Sequence, residues 1–217
     1  MLVIAAVTIF LIVQEPSLAG LEQAVIHPPL LLKQIVARTQ ALGFNMASEP
    51  RTGALLRSLA ASKPGGQFLE LGTGTGIATA WLLAGMDAAA NLTSVDTDPQ
   101  VQNIAREFLG SDGRLRLVLG DGLAFLQRDP SAHYDFVFAD AMPGKDEGLP
   151  ECLRVVKPGG FYVIDDMLPQ TNWPPGHANK IPVLLRELRE DPNWELVPLA
   201  WSSGIVVAVK RAKQRPF

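Results

Sequence analysis

The chain has 217 residues, 47% of them hydrophobic, which is enough for one sizeable core and sets the expectation of a single soluble globular domain. A formal net charge of −3 excludes a global basic field able to gather nucleic acid, and the locally basic "VKRAKQR" near the end reads as a solvated tail. The single cysteine, Cys152, excludes an internal disulfide framework and a cysteine-only zinc site; lying at an apolar phase of a helical pattern, it reads as a core thiol rather than a nucleophile.

The opening "MLVIAAVTIFLIV" is apolar but shorter than the ~20 residues that a helix needs to span a bilayer, so no transmembrane anchor is expected. A secretory signal over residues 1–19 is the lesser reading. "SLAG" offers a small-x-small cleavage site, yet no Lys or Arg precedes the apolar run, and the expected location is cytoplasmic. Residues 1–17 are otherwise a packing or dimerisation segment, or an upstream start, set apart from a domain over 18–217.

From there the chain alternates between two periodicities. "LEQAVIHPPLLLKQIVARTQALG" and "EPRTGALLRSLAAS" read as two helices ahead of a sheet. "QFLEL" is a strand, 76–86 a helix, "NLTSVD" a strand, 99–109 a helix and "RLRLVLG" a strand. Residues 122–128 form a helix, "YDFVFAD" a strand, 147–156 a helix and "GFYVIDD" a strand. Last come "WELVPLA" and "GIVVAVK", separated only by "WSS", which predicts an antiparallel hairpin. The pattern predicts an α/β fold: a doubly wound, mostly parallel seven-stranded sheet with a C-terminal antiparallel hairpin.

In such sheets a ligand lies outside the carboxyl ends of the strands. The glycine-rich "FLELGTGTGIATAWLL" sits there, ending the first strand and opening a helix whose start favours a negative group. A dinucleotide fingerprint needs G-x-G-x-x-G, and counting from Gly72 and Gly74 puts Ile77 where the third glycine belongs, which disfavours a dehydrogenase. "TSVDTDP" places Asp96, followed by Thr97, at the end of the next strand, where a carboxylate can accept hydrogen bonds from both hydroxyls of a ribose. Asp98 before Pro99 already suits the helix cap. "GDGLAFL" places Asp121 and Gly122 after the third strand, with a cap as the competing role for Asp121.

The spacing Glu70-x-Gly72-x-Gly74-x-Gly76, with Thr73 inside it, resembles the first motif of class I S-adenosylmethionine-dependent methyltransferases, which have a Rossmann-like fold. The resemblance implies a loop lying against the methionine part of S-adenosyl-L-methionine, Asp96 on its ribose and Asp121 beside its adenine. Within that class the chain is similar, from about residue 44 to residue 210, to the catechol and caffeoyl-CoA O-methyltransferases. "NMASEPRTGALLRSLAA", "YDFVFADA", "VKPGGFYVIDDM" and "WSSGIVVAVKR" carry this likeness. It implies that Met46 to Ser48 border the methionine end of the cofactor, and that the acceptor is a small hydroxylated molecule of catechol or phenol type. Relatives of this kind commonly dimerise, so a homodimer is a possible assembly.

Asp140 closes the fourth strand, and Asp165 and Asp166 close the fifth. Parallel neighbours lie about 4.8 Å apart, so three carboxylates crowd one place. Either one of them holds a proton or a cation sits among them. A hard divalent ion is the simpler resolution, and the resemblance implies Mg²⁺ or another divalent cation on Asp140, Asp165 and Asp166. Two departures from the family stand out. Asp166 replaces an Asn, and the family's "DADK" reads "DAMPGK" here, with Pro143 at the lysine position. Lys145 can serve as the base only if its loop folds back; otherwise it is a solvated loop lysine.

"LPQTNWPPGHANK" follows as a loop positioned to cover a substrate, with Trp173 as a wall and His177 as a proton acceptor, or else as an ordinary proline-stiffened connection. The expected function is metal-assisted methyl transfer to a hydroxyl, with Asp140, Lys145 and His177 as the catalytic set. Two alternatives stand beside it: a methyltransferase of RNA nucleosides, for which no strong basic stripe is present, and a non-catalytic S-adenosylmethionine-binding module.

Overall fold

Residues 22, 25–173 and 175–212 are described by the structure, which is a computed structural model. The apolar opening segment, with the signal reading that falls on it, lies outside the described residues, as do the last five residues of the chain. The first regular elements are the helices α1 (Leu32–Leu42) and α2 (Pro50–Ala61). Next come β1 (Gln67–Leu71), α3 (Ile77–Gly85), β2 (Asn91–Asp96), α4 (Pro99–Leu109), β3 (Leu115–Leu119) and α5 (Gly122–Arg128). They are followed by β4 (Tyr134–Ala139), α6 (Leu149–Val155), β5 (Val156–Ile164), α7 (His177–Glu190), β6 (Trp194–Leu199) and β7 (Ile205–Lys210).

The strands form one seven-stranded sheet in the order β3-β2-β1-β4-β5-β7-β6. Strands β1 to β5 pair in parallel, and β7 runs antiparallel to both β5 and β6. This is the doubly wound sheet with a terminal hairpin that the alternation of periods predicts.

Period-two alternation decides which side chain enters which half of the core. Phe68, Phe136 and Phe138 face the layer of α1 to α4, where they meet Leu56 and Trp81. Leu69, Leu71, Val137 and Ala139 face α5, α6 and α7, where they meet Leu126, Cys152 and Leu184. Burying each of the larger side chains stabilises the fold by about 1.5–3 kcal/mol. On the first face α2 and α3 approach closely because two contacts carry no side chain. A Cβ on Gly53 would lie 2.3 Å from the Trp81 indole, and one on Gly85 would lie 2.2 Å from the Arg57 carbonyl oxygen.

Cys152 is fully buried in the second half of the core, and burial pushes its thiol well above its usual range. It is therefore expected not to react with a disulfide reagent such as dithionitrobenzoate until denaturant opens the fold. Rapid labelling of the native protein would contradict that packing.

Three local readings are corrected by the structure. The stretch 21–43 is not one helix, because His27, Pro28 and Pro29 are non-helical and α1 starts only at Leu32; consecutive prolines remove the donors that a continuing helix needs. Strand β5 begins at Val156 rather than at Gly160, with a register irregularity against β4 between Tyr134 and Phe136. The third correction is α7, which the sequence reading did not contain. Its buried stripe Ile181, Leu184 and Leu188 has helical spacing, but it starts inside the proline-rich stretch and carries Pro182 within it. No helix among the described residues is long and apolar enough to cross a membrane.

Candidate functional site

Strand order reverses between β1 and β4, the topological switch where open α/β sheets bind ligands. A cavity of about 360 Å³ opens there, within the range of small-molecule sites. Its walls come from the loops after β1, β2, β4 and β5, from residues 44–48 and from the start of α7.

The three glycines of the loop after β1 answer three separate contacts. Gly72 has φ +100°, and a Cβ there would lie 2.6 Å from the Asp140 carbonyl oxygen, so the end of β4 excludes a side chain. A Cβ on Gly74, φ +50°, would lie 3.4 Å from the Phe44 ring at the cavity wall. Gly76, φ +89°, opens α3, and a Cβ there would lie 2.8 Å from Ala105 on α4; it serves helix packing and does not line the cavity. Gly72 donates its N–H to the Val95 carbonyl at 2.9 Å, and Gly74 donates to Asp96 Oδ2 at 2.7 Å. Thr73 lines the cavity, and its hydroxyl is 2.6 Å from that of Ser94.

Glu70 lies beneath this loop, fully buried, and does not line the cavity. Its Oε2 accepts from Thr79 at 2.6 Å and from Ser94 at 2.5 Å, while Oε1 has no partner among the described residues. Burial, only partly offset by those two hydroxyls, pushes its carboxyl up to about 7.

Asp96 and Thr97 line the cavity at the end of β2. Besides Gly74, Asp96 accepts the Asp98 N–H on Oδ1 at 2.9 Å, so each oxygen carries one backbone bond and keeps a lone pair for a ligand. Asp98 caps α4 through the Gln100 N–H at 2.7 Å, as its place before Pro99 implies. Asp121 caps α5 through the Ala124 N–H at 2.7 Å, and neither Asp121 nor Gly122 lines the cavity. The geometry thus carries the capping role of Asp121.

At the other end of the cavity stand the carboxylates. Asp140 continues β4 by donating its N–H to the Leu71 carbonyl at 2.8 Å, and its Oδ2 accepts from Ser48 at 2.9 Å. Asp165 is buried, and its Oδ1 accepts from the Ser203 hydroxyl and from the Asp166 N–H, the latter at 2.9 Å. Asp166 lines the cavity with φ +60°, a left-handed conformation that Asp adopts at a cost of about 1–2 kcal/mol.

The loop after Asp140 does fold back. Gly144 donates to the Glu147 carbonyl at 2.7 Å, and Lys145 N–H donates to the Met142 carbonyl at 3.1 Å. The Tyr162 hydroxyl donates to the Gly144 carbonyl from β5. Lys145 is thereby turned inward and is 3% exposed. Its Nζ donates to the Asp165 carbonyl at 2.9 Å and stands 4.0 Å from both Asp140 Oδ1 and Asp166 Oδ2.

Asp140, Asp165 and Asp166 do converge, but an ammonium stands beside Asp140 and Asp166 while Asp165 is turned to Ser203. Among the described residues no group of three His, Cys, Asp or Glu side chains is disposed to hold a metal ion. Burial first, and then the Asp165 charge, hold Asp140 well above the usual carboxylate range, and burial likewise raises Asp165.

The remaining wall comes from the segment before α7. Asn172 donates to the Asn45 carbonyl at 3.1 Å, tying this segment to the Met46 loop across the mouth of the cavity. Trp173 and His177 meet edge to face at 4.6 Å. Trp173 Nε1 and His177 Nδ1 are both buried without a hydrogen-bond partner among the described residues. Both side chains line the cavity, as do Met46 and Ser48. His27 and His133 do not. The sequence reading missed Ser203, Met142 and Phe44. Ser203 sits in the "WSS" turn that was read only as a hairpin connection, and nothing local to it points to Asp165.

A family profile described as "Methyltransferase domain" matches residues 69–167. A protein of Mycobacterium bovis strain BCG, described as an inferred O-methyltransferase, is 34% identical over 176 residues, covering 76% of this chain and 78% of that one. A similarly described protein of Mycolicibacterium vanbaalenii is 37% identical over 134 residues, where the match spans 59% of each chain. Among solved structures, an O-methyltransferase from Bacillus cereus in complex with SAH superposes with a TM-score of 0.77 at 20% identity, covering 89% of this chain and 96% of that one. An O-methyltransferase from Streptomyces achromogenes involved in tomaymycin synthesis, in complex with SAM, gives 0.76 at 18% identity, covering 89% and 95%. At these identities the two structures speak for the fold.

Proposed function

From the premise that this chain belongs to the O-methyltransferase family of the methyltransferase-domain fold, we propose that it transfers a methyl group from S-adenosylmethionine to a hydroxyl of a small acceptor. The carrying observation is one continuous cavity with two unlike ends. The glycine loop, Asp96 and Thr97 line one end; Lys145, Asp166, Trp173 and His177 line the other.

The residues at the first end fit the cofactor. Asp96 has lone pairs free for two ribose hydroxyls, and Ser48 lines the cavity where the amino-acid part would lie. When bound, the cofactor supplies a methyl on a sulfonium: a C–O bond to the acceptor forms as the C–S bond breaks, and the electron pair of that bond stays on sulfur as a neutral thioether. The chain's own residues position and deprotonate. Trp173 supplies a flat wall for an aromatic acceptor. His177, whose side chain lines the cavity, takes the hydroxyl proton. No enzyme nucleophile is required. A dry cavity favours the step, because the acceptor's developing negative charge and the sulfonium's positive charge cancel in the transition state. The carboxylates do not fit a divalent ion, so no step is routed through one.

The test is transfer of radiolabelled methyl from S-adenosylmethionine to a panel of catechols and phenols, with tRNA as a parallel acceptor. Labelling of the small acceptors alone is expected. His177→Gln is expected to lower kcat about 100-fold while leaving cofactor affinity unchanged. Transfer to RNA alone, or cofactor binding without transfer to any acceptor, would replace this reading.

A further inference from the structure

We infer that Lys145 is the resident cation of this site, standing where a divalent ion would otherwise be required, so that acceptor handling here is independent of metal. The inference deepens the function proposed above and rests on it for its catalytic half.

Three observations carry it. The first is position: the ammonium is 3% exposed, inside the cavity wall, and equidistant at 4.0 Å from carboxylate oxygens of Asp140 and Asp166. The second is donor arithmetic. An ammonium has three N–H donors, and one is used on the Asp165 carbonyl at 2.9 Å. The two carboxylates, at 4.0 Å, are beyond hydrogen-bond distance. Two donors are therefore left for a ligand oxygen entering the same cavity. The third is that Lys145 is held in place. Its loop is pinned by the Gly144 N–H on Glu147, by its own N–H on Met142 and by Tyr162 on Gly144. A Cβ on Gly144 would lie 2.5 Å from Leu71, so the chain there packs directly on the end of β1.

A divalent ion ligated by Asp140 and Asp166 needs oxygen distances of about 2.0–2.6 Å. It would therefore enter the space that these oxygens share with the ammonium, and the two like charges would repel with little water to screen them. The third carboxylate offers at most one oxygen, since Asp165 Oδ1 is already taken by Ser203 and the Asp166 N–H. What the metal would contribute, a fixed positive charge beside the acceptor oxygen, the lysine contributes as a point charge. It stabilises the oxygen as its proton leaves for His177, while the atoms exchanged remain those of the displacement above.

The experiment is calorimetric titration of the full purified chain with MnCl₂ and MgCl₂, with water-proton relaxation as a second readout for Mn²⁺, alongside methyl transfer measured with and without EDTA. The expected result is no ion binding tighter than about 1 mM, and a transfer rate unchanged by chelator. Micromolar Mn²⁺ binding by the wild-type chain, or activity abolished by EDTA and restored by Mg²⁺, overturns the inference. Lys145→Met keeps the length and removes the charge: its kcat is expected to fall about 100-fold, and Mn²⁺ binding is expected to appear as the carboxylates lose their internal counter-ion. A Lys145→Met enzyme with the wild-type rate also overturns it. Should that variant fail to fold, the wild-type titration and chelator assay still decide. The titration needs no acceptor, so complete absence of methyl transfer would remove the proposed function while leaving the result on ion binding to stand.

Discussion

Replacing Asp96 with Ala is expected to weaken S-adenosylmethionine binding about 100-fold, and replacing it with Asn about tenfold. Hydrogen bonds to a charged acceptor contribute about 1.5–3 kcal/mol each, and each 1.4 kcal/mol is tenfold in affinity. In the proposed complex Asp96 holds two donors from the ribose besides the two it holds from the chain, because Gly74 and Asp98 each take one oxygen. Alanine removes both ligand contacts and also releases the glycine loop from β2. Asparagine keeps one accepting oxygen and turns the other into a donor, so one of the ribose hydroxyls is left facing a group that cannot accept from it. Calorimetry with S-adenosylhomocysteine, which has no methyl to transfer and so allows no turnover, measures both steps, and circular dichroism reports whether the fold survives. Equal affinity in the wild-type chain and the alanine variant would take Asp96 out of the site.

Glu70 is expected to make the folded chain lose stability as pH rises from about 4.5 to about 7. In the unfolded chain its carboxyl ionises near 4.5, whereas in the fold burial holds the proton up to about 7. Between those values the folded state binds more protons than the unfolded state, so stability is greatest below the window and falls through it. The full gap corresponds to about 3 kcal/mol. Glu70→Gln cannot ionise, and Gln still offers an oxygen to Thr79 and Ser94. Urea midpoints measured from pH 4.5 to pH 8 should therefore fall for the wild-type chain relative to the variant, with the difference levelling off above about pH 7. Parallel profiles would show that Glu70 does not carry its proton into the folded state. The effect belongs to the support of the glycine loop rather than to the chemistry, since Glu70 does not reach the cavity.

The readings that survived are those whose physical cause is local. "QFLEL" and "YDFVFAD" were read as strands and are β1 and β4, because a short β-rich run bounded by turn residues carries its own signal. Asp98 before Pro99 marked the start of α4 because a cap and the proline after it act within one turn. The glycine loop was legible as a close-approach site, although what approaches Gly72 is the end of β4 and what approaches Gly76 is α4. α7 was lost for a local reason too: four prolines at 169, 174, 175 and 182 drew attention away from the stripe Ile181, Leu184 and Leu188.

The carboxylate cluster shows where such reading stops. Strand ends alone placed Asp140, Asp165 and Asp166 together, and charge crowding, with the resemblance beside it, put an ion in the space between them. Whether a proton, a metal or a side chain neutralises them depends on Lys145, whose position is a property of the folded loop. That loop is anchored by Tyr162 and packed on Leu71, contacts that no window of neighbouring residues contains. Ser203 reaches Asp165 across 38 positions of sequence, and Ser48 reaches Asp140 across 92.

By itself, then, the sequence determined the sheet, its terminal hairpin and the glycine loop at the end of the first strand, because each follows from periodicity or from a turn whose causes lie within a few residues. Only the tertiary structure decided which atoms share the far end of the cavity. Charge balance in a buried cluster is set by distances of a few ångströms between segments far apart in the chain, and those distances exist only once the chain has folded.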